Sequence, residues 1–178
     1  FTWVLENAET YRLDTEKLFA VGDSAGAHIL SLYLDICTNP DYAGNYKFHT
    51  PEAPQIRAVA LNCGQYHMGE ENLDELTGKL MEEYLPGKGT KQELQLLCAD
   101  DYVTEKFPPA FLMTAEEDFL RGQAPLMYEK LKSMHIPCEF HDYRSGKTEK
   151  LGHVFHLNIR SEDAHKCNDE ECRFFKQI

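Results

Sequence analysis

No stretch of this sequence comes near the roughly 18 consecutive apolar residues that a membrane-spanning helix needs, and the mean hydropathy is −0.51. No membrane span is therefore expected. Positive charge is scarce too, with 18 Lys and Arg against 30 Asp and Glu and a formal net charge of −12. Nucleic acid is excluded as a partner on that ground, because its binders draw most of their affinity from clustered Lys and Arg. Internal repeats and low-complexity tracts are lacking. No cysteine pair has the C-x-x-C spacing of a metal knuckle, and the six cysteines (Cys37, Cys63, Cys98, Cys138, Cys167 and Cys172) are scattered. In a chain of this size they are not needed as staples. They read as mostly reduced, with Cys37, Cys63, Cys98 and Cys138 serving as small hydrophobes inside apolar stretches. An initiator methionine and a leader are also lacking. Since the chain opens on Phe1, further residues are expected upstream, and the expected location is cytoplasmic.

What is there suits one globular domain: 178 residues, 42% of them apolar and 11% aromatic. Phe1 to Tyr11 carries apolar residues at helical spacing and predicts one amphipathic helix. Leu18 to Gly22 is short and wholly apolar, the pattern of a strand buried on both faces. Ser24 to Cys37 predicts a helix packed in the interior, stopped by Asn39-Pro40. Further strands are predicted at Ile56 to Cys63, Ala110 to Ala115 and Cys138 to Tyr143, with helices at Gln123 to His135 and Ser161 to Lys176. Strands that alternate with helices point to an α/β fold, a mostly parallel sheet flanked by helices with about four strands present. The first strand would then be left as an edge, and so apolar an edge calls for a further pairing partner or for association into homo-oligomers.

Between the second and third strands, residues 66–107 are too long for a plain connection. Leu73, Leu76, Leu80, Met81 and Tyr84 have helical spacing there, before a break at Pro86-Gly87-Lys88-Gly89. The segment reads as a cap-like insertion. It holds ten acids, among them Glu70, Glu71 and Asp74, against four lysines. A segment so charged, overhanging a site, would favour neutral or cationic substrates over anionic ones.

The sharpest local feature is Gly22-Asp23-Ser24-Ala25-Gly26, a G-x-S-x-G where a buried strand meets a helix. Such a turn strains the serine backbone and lifts its hydroxyl clear of the sheet, while small residues on either side let strand and helix approach. A serine hydroxyl needs a general base, and the base needs an acid to hold its tautomer. Glu116, Glu117 and Asp118 follow the third strand; Asp118 is favoured because Phe119-Leu120 behind it can pack and hold the loop. After the fourth strand come Gly152-His153-Val154-Phe155-His156. There His153 is favoured over His156, since Gly152 permits a tight loop and Phe155 can anchor it. The plainer readings are a structural turn serine, a solvated acidic turn, and histidines such as His28 that serve only the core.

Three separated stretches carry a resemblance. FTWVLENAETYRLDTEKLFAVGDSAGAH, FPPAFLMTAEEDFLRGQAPLMYEKLKSMHIPCEFHDY and GHVF resemble the elbow, the acid-bearing strand with its helix, and the histidine loop of the α/β-hydrolase esterases and lipases. The likeness is to the hormone-sensitive-lipase-like and acetyl-esterase branch with its GDSAGG signature, and it covers most of the chain. It implies an α/β-hydrolase catalytic domain over residues 1–178 that cleaves small acyl esters with no cofactor. Ser24 would be the nucleophile, Asp118 the acid, His153 the base and the Ala25 N–H one oxyanion-hole donor. The signature's last Gly is Ala27 here, which also suits an arylformamidase-like amide hydrolase. The family's upstream oxyanion loop and first strands have no counterpart, so the chain is expected to be the C-terminal portion of a longer hydrolase. A non-catalytic binding protein on the same scaffold is the competing class. No metal site is expected: His153, His156, His165, Cys167 and Cys172 do not pair at ligand spacing, and strand alternation puts Cys138 and His141 on opposite faces, away from any shared ion with His135.

Overall fold

The computed structural model describes residues 1–178 except 48, 49, 51–55, 70–72 and 74. Four strands form one parallel sheet in the order β1 (Leu18–Asp23), β2 (Ile56–Asn62), β3 (Ala110–Ala115), β4 (Cys138–Tyr143). A parallel neighbour must be reached by a crossover, and the chain supplies three. The first runs through α3 (Ala25–Thr38) and the short α4 (Pro40–Ala43). The second runs through α5 (Glu75–Tyr84), α6 (Lys91–Leu96) and α7 (Ala99–Tyr102), and the third through α8 (Gln123–Ser133). Helix α9 (Glu162–Gln177) closes the chain.

Strand alternation sorts the core into two layers. Val59, Leu61 and Leu112 pack with Ala27, Leu30 and Leu34 of α3 and with Met127 and Leu131 of α8. Ala58, Ala60, Phe111 and Met113 face the opposite way, onto Cys167 and Phe174 of α9. All six residues of β3 are buried, as a run that is apolar except for Thr114 requires in a sheet covered on both faces.

Three sequence expectations are corrected. The first helix is two, α1 (Thr2–Glu6) and α2 (Ala8–Tyr11), split at Asn7, whose side-chain amide donates back to the Trp3 carbonyl at 2.8 Å. Such side-chain to backbone bonding competes with helix continuation. Strand β1 is not buried on both faces: among the described residues only β2 pairs with it, and Val21 is 52% exposed. Helix α3 is not interior all round, since Ala25, Gly26, Ile29 and Cys37 are exposed. Along α5, within the predicted insertion, Leu76, Leu80 and Tyr84 are exposed and Thr77 is the buried residue. All six cysteines are free thiols, with Cys37 and Cys172 exposed. No helix among the described residues is long and apolar enough to cross a membrane.

Candidate functional site

The C-terminal ends of β1, β2 and β3 converge on one place. Strand β1 stops at Asp23 and α3 starts at Ala25, so Ser24 alone makes the turn, with φ 55° and ψ −119°. A left-handed φ is costly for a residue with a Cβ and marks a site where the surroundings enforce it. The enforcement is visible: the Ser24 N–H donates to the Asn62 carbonyl at 2.8 Å, tying the turn to the end of β2. Gly22 is needed for close approach, because a Cβ there would lie 2.5 Å from the Gly26 carbonyl oxygen. Gly26 is not needed for that reason; a Cβ built on it meets nothing within 4 Å. That corrects the expectation of two equivalent small residues.

Asp118 lies four residues beyond Thr114 in the turn after β3 and is 5% exposed. Its carboxylate is held from two sides, accepting from the Thr114 hydroxyl at 2.8 Å on Oδ2 and from the Leu120 N–H at 2.9 Å on Oδ1. The other two acids have different environments. Glu117 is exposed. Glu116 accepts from the Ser145 and Leu151 backbone N–H groups at 2.8 and 3.4 Å and pairs with Lys150 at 3.2 Å, thereby bracing the loop after β4. Those backbone bonds, the Ser145 one foremost, hold its carboxyl below the usual carboxylate range.

His153 stands between the serine and the acid. Its Nδ1 is 2.6 Å from Asp118 Oδ1 and its Nε2 is 2.8 Å from Ser24 Oγ. A carboxylate can only accept, so Nδ1 carries the proton and Nε2 is left to accept from the serine hydroxyl. The loop that carries the histidine is fixed to the β3 turn by a bridge between Glu117 and Gly152, with the Glu117 N–H donating to the Leu151 carbonyl at 3.0 Å. Gly152 itself is unstrained, and a Cβ on it would meet nothing within 4 Å. The strain sits one residue past the histidine, at Val154, with φ 50°. Phe155 packs on Tyr143 as an anchor, at a ring separation of 5.4 Å. Behind Asp118, Leu120 is buried, but Phe119 lies 56% exposed with its ring 4.4 Å from that of His153.

His156 faces elsewhere, with Nε2 2.8 Å from Asp23 Oδ1. Asn62 donates to the same oxygen at 3.1 Å and to Glu171 Oε2 of α9 at 2.9 Å. The His156 bond above all holds the Asp23 carboxyl below its ordinary range, whereas burial raises that of Glu171. Cys63, with φ 50° at the end of β2, places its thiol among Asp118 and His153. Burial pushes that thiol up, and the Asp118 charge adds to the effect. Nothing in the local pattern around Cys63, Thr114 or Asn62 pointed to the site; only the sheet register brings them there. The ligand sets drawn from sequence spacing, around His165 and around His135, do not gather among the described residues, where the clusters are Cys63, Asp118 and His153, and His67, Cys98 and Asp100.

A family model described as the alpha/beta hydrolase fold matches residues 1–157. A curated protein of Acanthamoeba polyphaga mimivirus, named as an α/β hydrolase, is 28% identical over 139 residues, which is 75% of this chain and 39% of that protein. Among solved structures, esterase B of Lactobacillus rhamnosis bound to a tributyrin phosphonate inhibitor superposes with a TM-score of 0.80 at 19% identity, covering 98% of this chain and 56% of that one. A fungal esterase of Rhizomucor miehei gives 0.71 at 21% identity, covering 99% and 56%. The likeness to these structures is one of fold, and the chain spans little more than half the length of either. With a match that takes in the elbow, the acid turn and the histidine loop, the chain belongs to the α/β-hydrolase fold family.

Proposed function

We propose that the protein is a serine hydrolase that cleaves small acyl esters through an acyl-enzyme on Ser24. One observation carries the reading: Asp118 in the turn after β3, His153 in the loop after β4 and Ser24 in the turn after β1 form a continuous chain of hydrogen bonds at 2.6 and 2.8 Å. His153 Nε2 takes the hydroxyl proton as Ser24 Oγ attacks the ester carbonyl, and Asp118 stabilises the imidazolium through Nδ1–H. The same proton then goes to the departing alcohol. In the second half, His153 activates a water that releases the acid and restores Ser24. Ala25 opens α3, so its N–H belongs to the first helical turn, where amides lack intrahelical acceptors and the dipole favours an oxyanion. Residues 66–107, of which Glu70, Glu71 and Asp74 lie outside the described residues, serve as a cap-like segment whose excess of acids favours neutral or cationic acyl esters. An anionic ester turned over faster than its neutral analogue at low salt would refute that preference.

The test is a fluorophosphonate probe together with a p-nitrophenyl ester assay on the full protein. Labelling should fall on Ser24, and Ser24→Ala should lower kcat on the order of a millionfold, as in other serine triads. A Ser24→Ala variant within tenfold of the parent would overturn the assignment and leave a binding protein on a hydrolase scaffold. Relative rates on matched ester and formanilide substrates separate an esterase from an amide hydrolase.

A further inference from the structure

Away from the Ser24 site, His67 in the loop after β2, Cys98 before α7 and Asp100 in its first turn bring one nitrogen, one sulfur and one carboxylate oxygen within 4.8 Å of one another. His67 Nδ1 lies 2.9 Å from Asp100 Oδ2. The cluster is held by backbone contacts and not only by its own side chains. Gln123 of α8 accepts from the Tyr66 and His67 N–H groups at 3.0 and 2.8 Å, the Met68 N–H donates to Cys98 Sγ at 3.3 Å, and the Asp100 N–H donates to the Tyr66 carbonyl. Beside it opens a cavity of about 270 Å³, lined in part by His67, Gln95 and Cys98.

We propose that His67, Cys98 and Asp100 form a binding site for a divalent transition ion of the zinc type. The donor set is borderline-soft nitrogen and sulfur with one carboxylate, which suits Zn²⁺ over Mg²⁺ or Ca²⁺. Three ligands among the described residues leave a fourth position, and the cavity can supply its water. The ion would sit where His67 now meets Asp100, with His67 Nδ1 deprotonated and the Cys98 thiol releasing its proton to solvent on binding. Asp100 fits the role by its geometry, with both carboxylate oxygens within 3.1 Å of His67 Nδ1. The ion would pin the loop after β2 to the α6–α7 junction, joining the two ends of the long second crossover. This site is independent of the reading of Ser24.

The experiment titrates Co²⁺ and then Zn²⁺ into the full protein carrying Cys37→Ser and Cys172→Ser, which removes the two exposed thiols. The expected result is one Co²⁺ per chain with tetrahedral visible bands and a thiolate-to-cobalt charge-transfer band, all displaced by Zn²⁺. His67→Gln and Asp100→Asn, checked for folding by circular dichroism, should each weaken Zn²⁺ binding by at least about tenfold, the lower end of what even outer-shell losses cost. Zn²⁺ should also raise the unfolding temperature of the parent and not that of Asp100→Asn, which holds the test even if Cys98→Ala fails to fold. Absence of a charge-transfer band would overturn the site. So would a band that survives in folded Cys98→Ala and disappears in Cys63→Ala, since the ion would then lie at Asp118 and His153.

Discussion

His156 and Asp23 are joined across 133 residues of chain by a hydrogen bond of 2.8 Å, and Asp23 is the residue immediately before Ser24. The Asp23 carboxyl is held low, so it is the acceptor and His156 Nε2–H the donor. Because His156 follows His153 by three residues, one loop touches the elbow twice. His153 reaches the serine hydroxyl and His156 the strand end that aims it. Among the described residues the second ring nitrogen of His156 has no hydrogen-bond partner, so the bond to Asp23 is the one hydrogen bond that the ring makes there.

A double-mutant cycle with His156→Ala and Asp23→Asn, read by urea denaturation at about pH 7, should give a coupling of about 0.5 to 3 kcal/mol. Asp23 has a folded-state value below the ordinary 3.8. Its contribution is therefore fully present above 3.8 and is lost as the pH falls through the lower folded-state value, so the coupling should shrink as the pH is taken below 3.8. Zero coupling at neutral pH would mean that the pair does not hold the elbow.

The two elbow glycines should behave differently in the 178-residue chain. Gly22→Ala puts a methyl 2.5 Å from the Gly26 carbonyl oxygen, a backbone atom that cannot swing away. We expect a loss of about 1 to 3 kcal/mol in stability, in the range of overpacked sites. Gly26→Ala should change stability by no more than about 0.5 kcal/mol, as at other open surface positions. Thermal unfolding of the two variants beside the parent decides it, and equal losses would refute the distinction.

Asp118→Asn should lower kcat by about 10⁴, the scale set by losing the residue that holds the histidine tautomer. Glu117→Gln, at an exposed position, should be close to neutral. Glu116→Gln should fall between them, because it loosens the Ser145 and Leu151 amides that steady the histidine loop. Ester hydrolysis measured for all three variants gives the order, and any other ranking would reassign the acid.

Asp35 of α3 is fully buried, and neither of its carboxylate oxygens has a hydrogen-bond partner among the described residues. Burial pushes its carboxyl up from 3.8 to about 9, with the Asp100 charge adding to the effect. The folded state therefore keeps a proton that the unfolded state releases, and stability should fall as the pH rises between those two values. The slope from this one group is at most about 1.4 kcal/mol per pH unit. Asp35→Asn should remove that slope and be more stable than the parent at about pH 8, with little difference near pH 4. Parallel stability curves for the two proteins across that range would sink the account.

Much of the fold is written locally in the sequence. The runs Ile56–Asn62, Ala110–Ala115 and Cys138–Tyr143 form strands because short apolar or β-rich stretches between helices have few other ways to bury themselves. The elbow is legible for the same reason, since Gly22, Ser24 and the start of α3 interact within a few residues of one another. Tertiary structure decided what depends on register across the sheet. Asp118 is favoured among three adjacent acids in sequence only by the residues behind it; the turn after β3 is what buries Asp118 against Thr114, exposes Glu117 and sends Glu116 to brace a loop. His153 is favoured over His156 in sequence, but where each ring goes is not legible there: they part to Ser24 and Asp23 through contacts spanning 129 and 133 residues. The positive φ of the histidine loop falls at Val154 and not at Gly152, and Cys63 comes to lie beside the acid–histidine pair. Local propensity sees only a few neighbours along the chain; which side chains meet at the C-terminal edge of a parallel sheet is set when the strands pair, by hydrogen bonds between segments that the sequence keeps far apart.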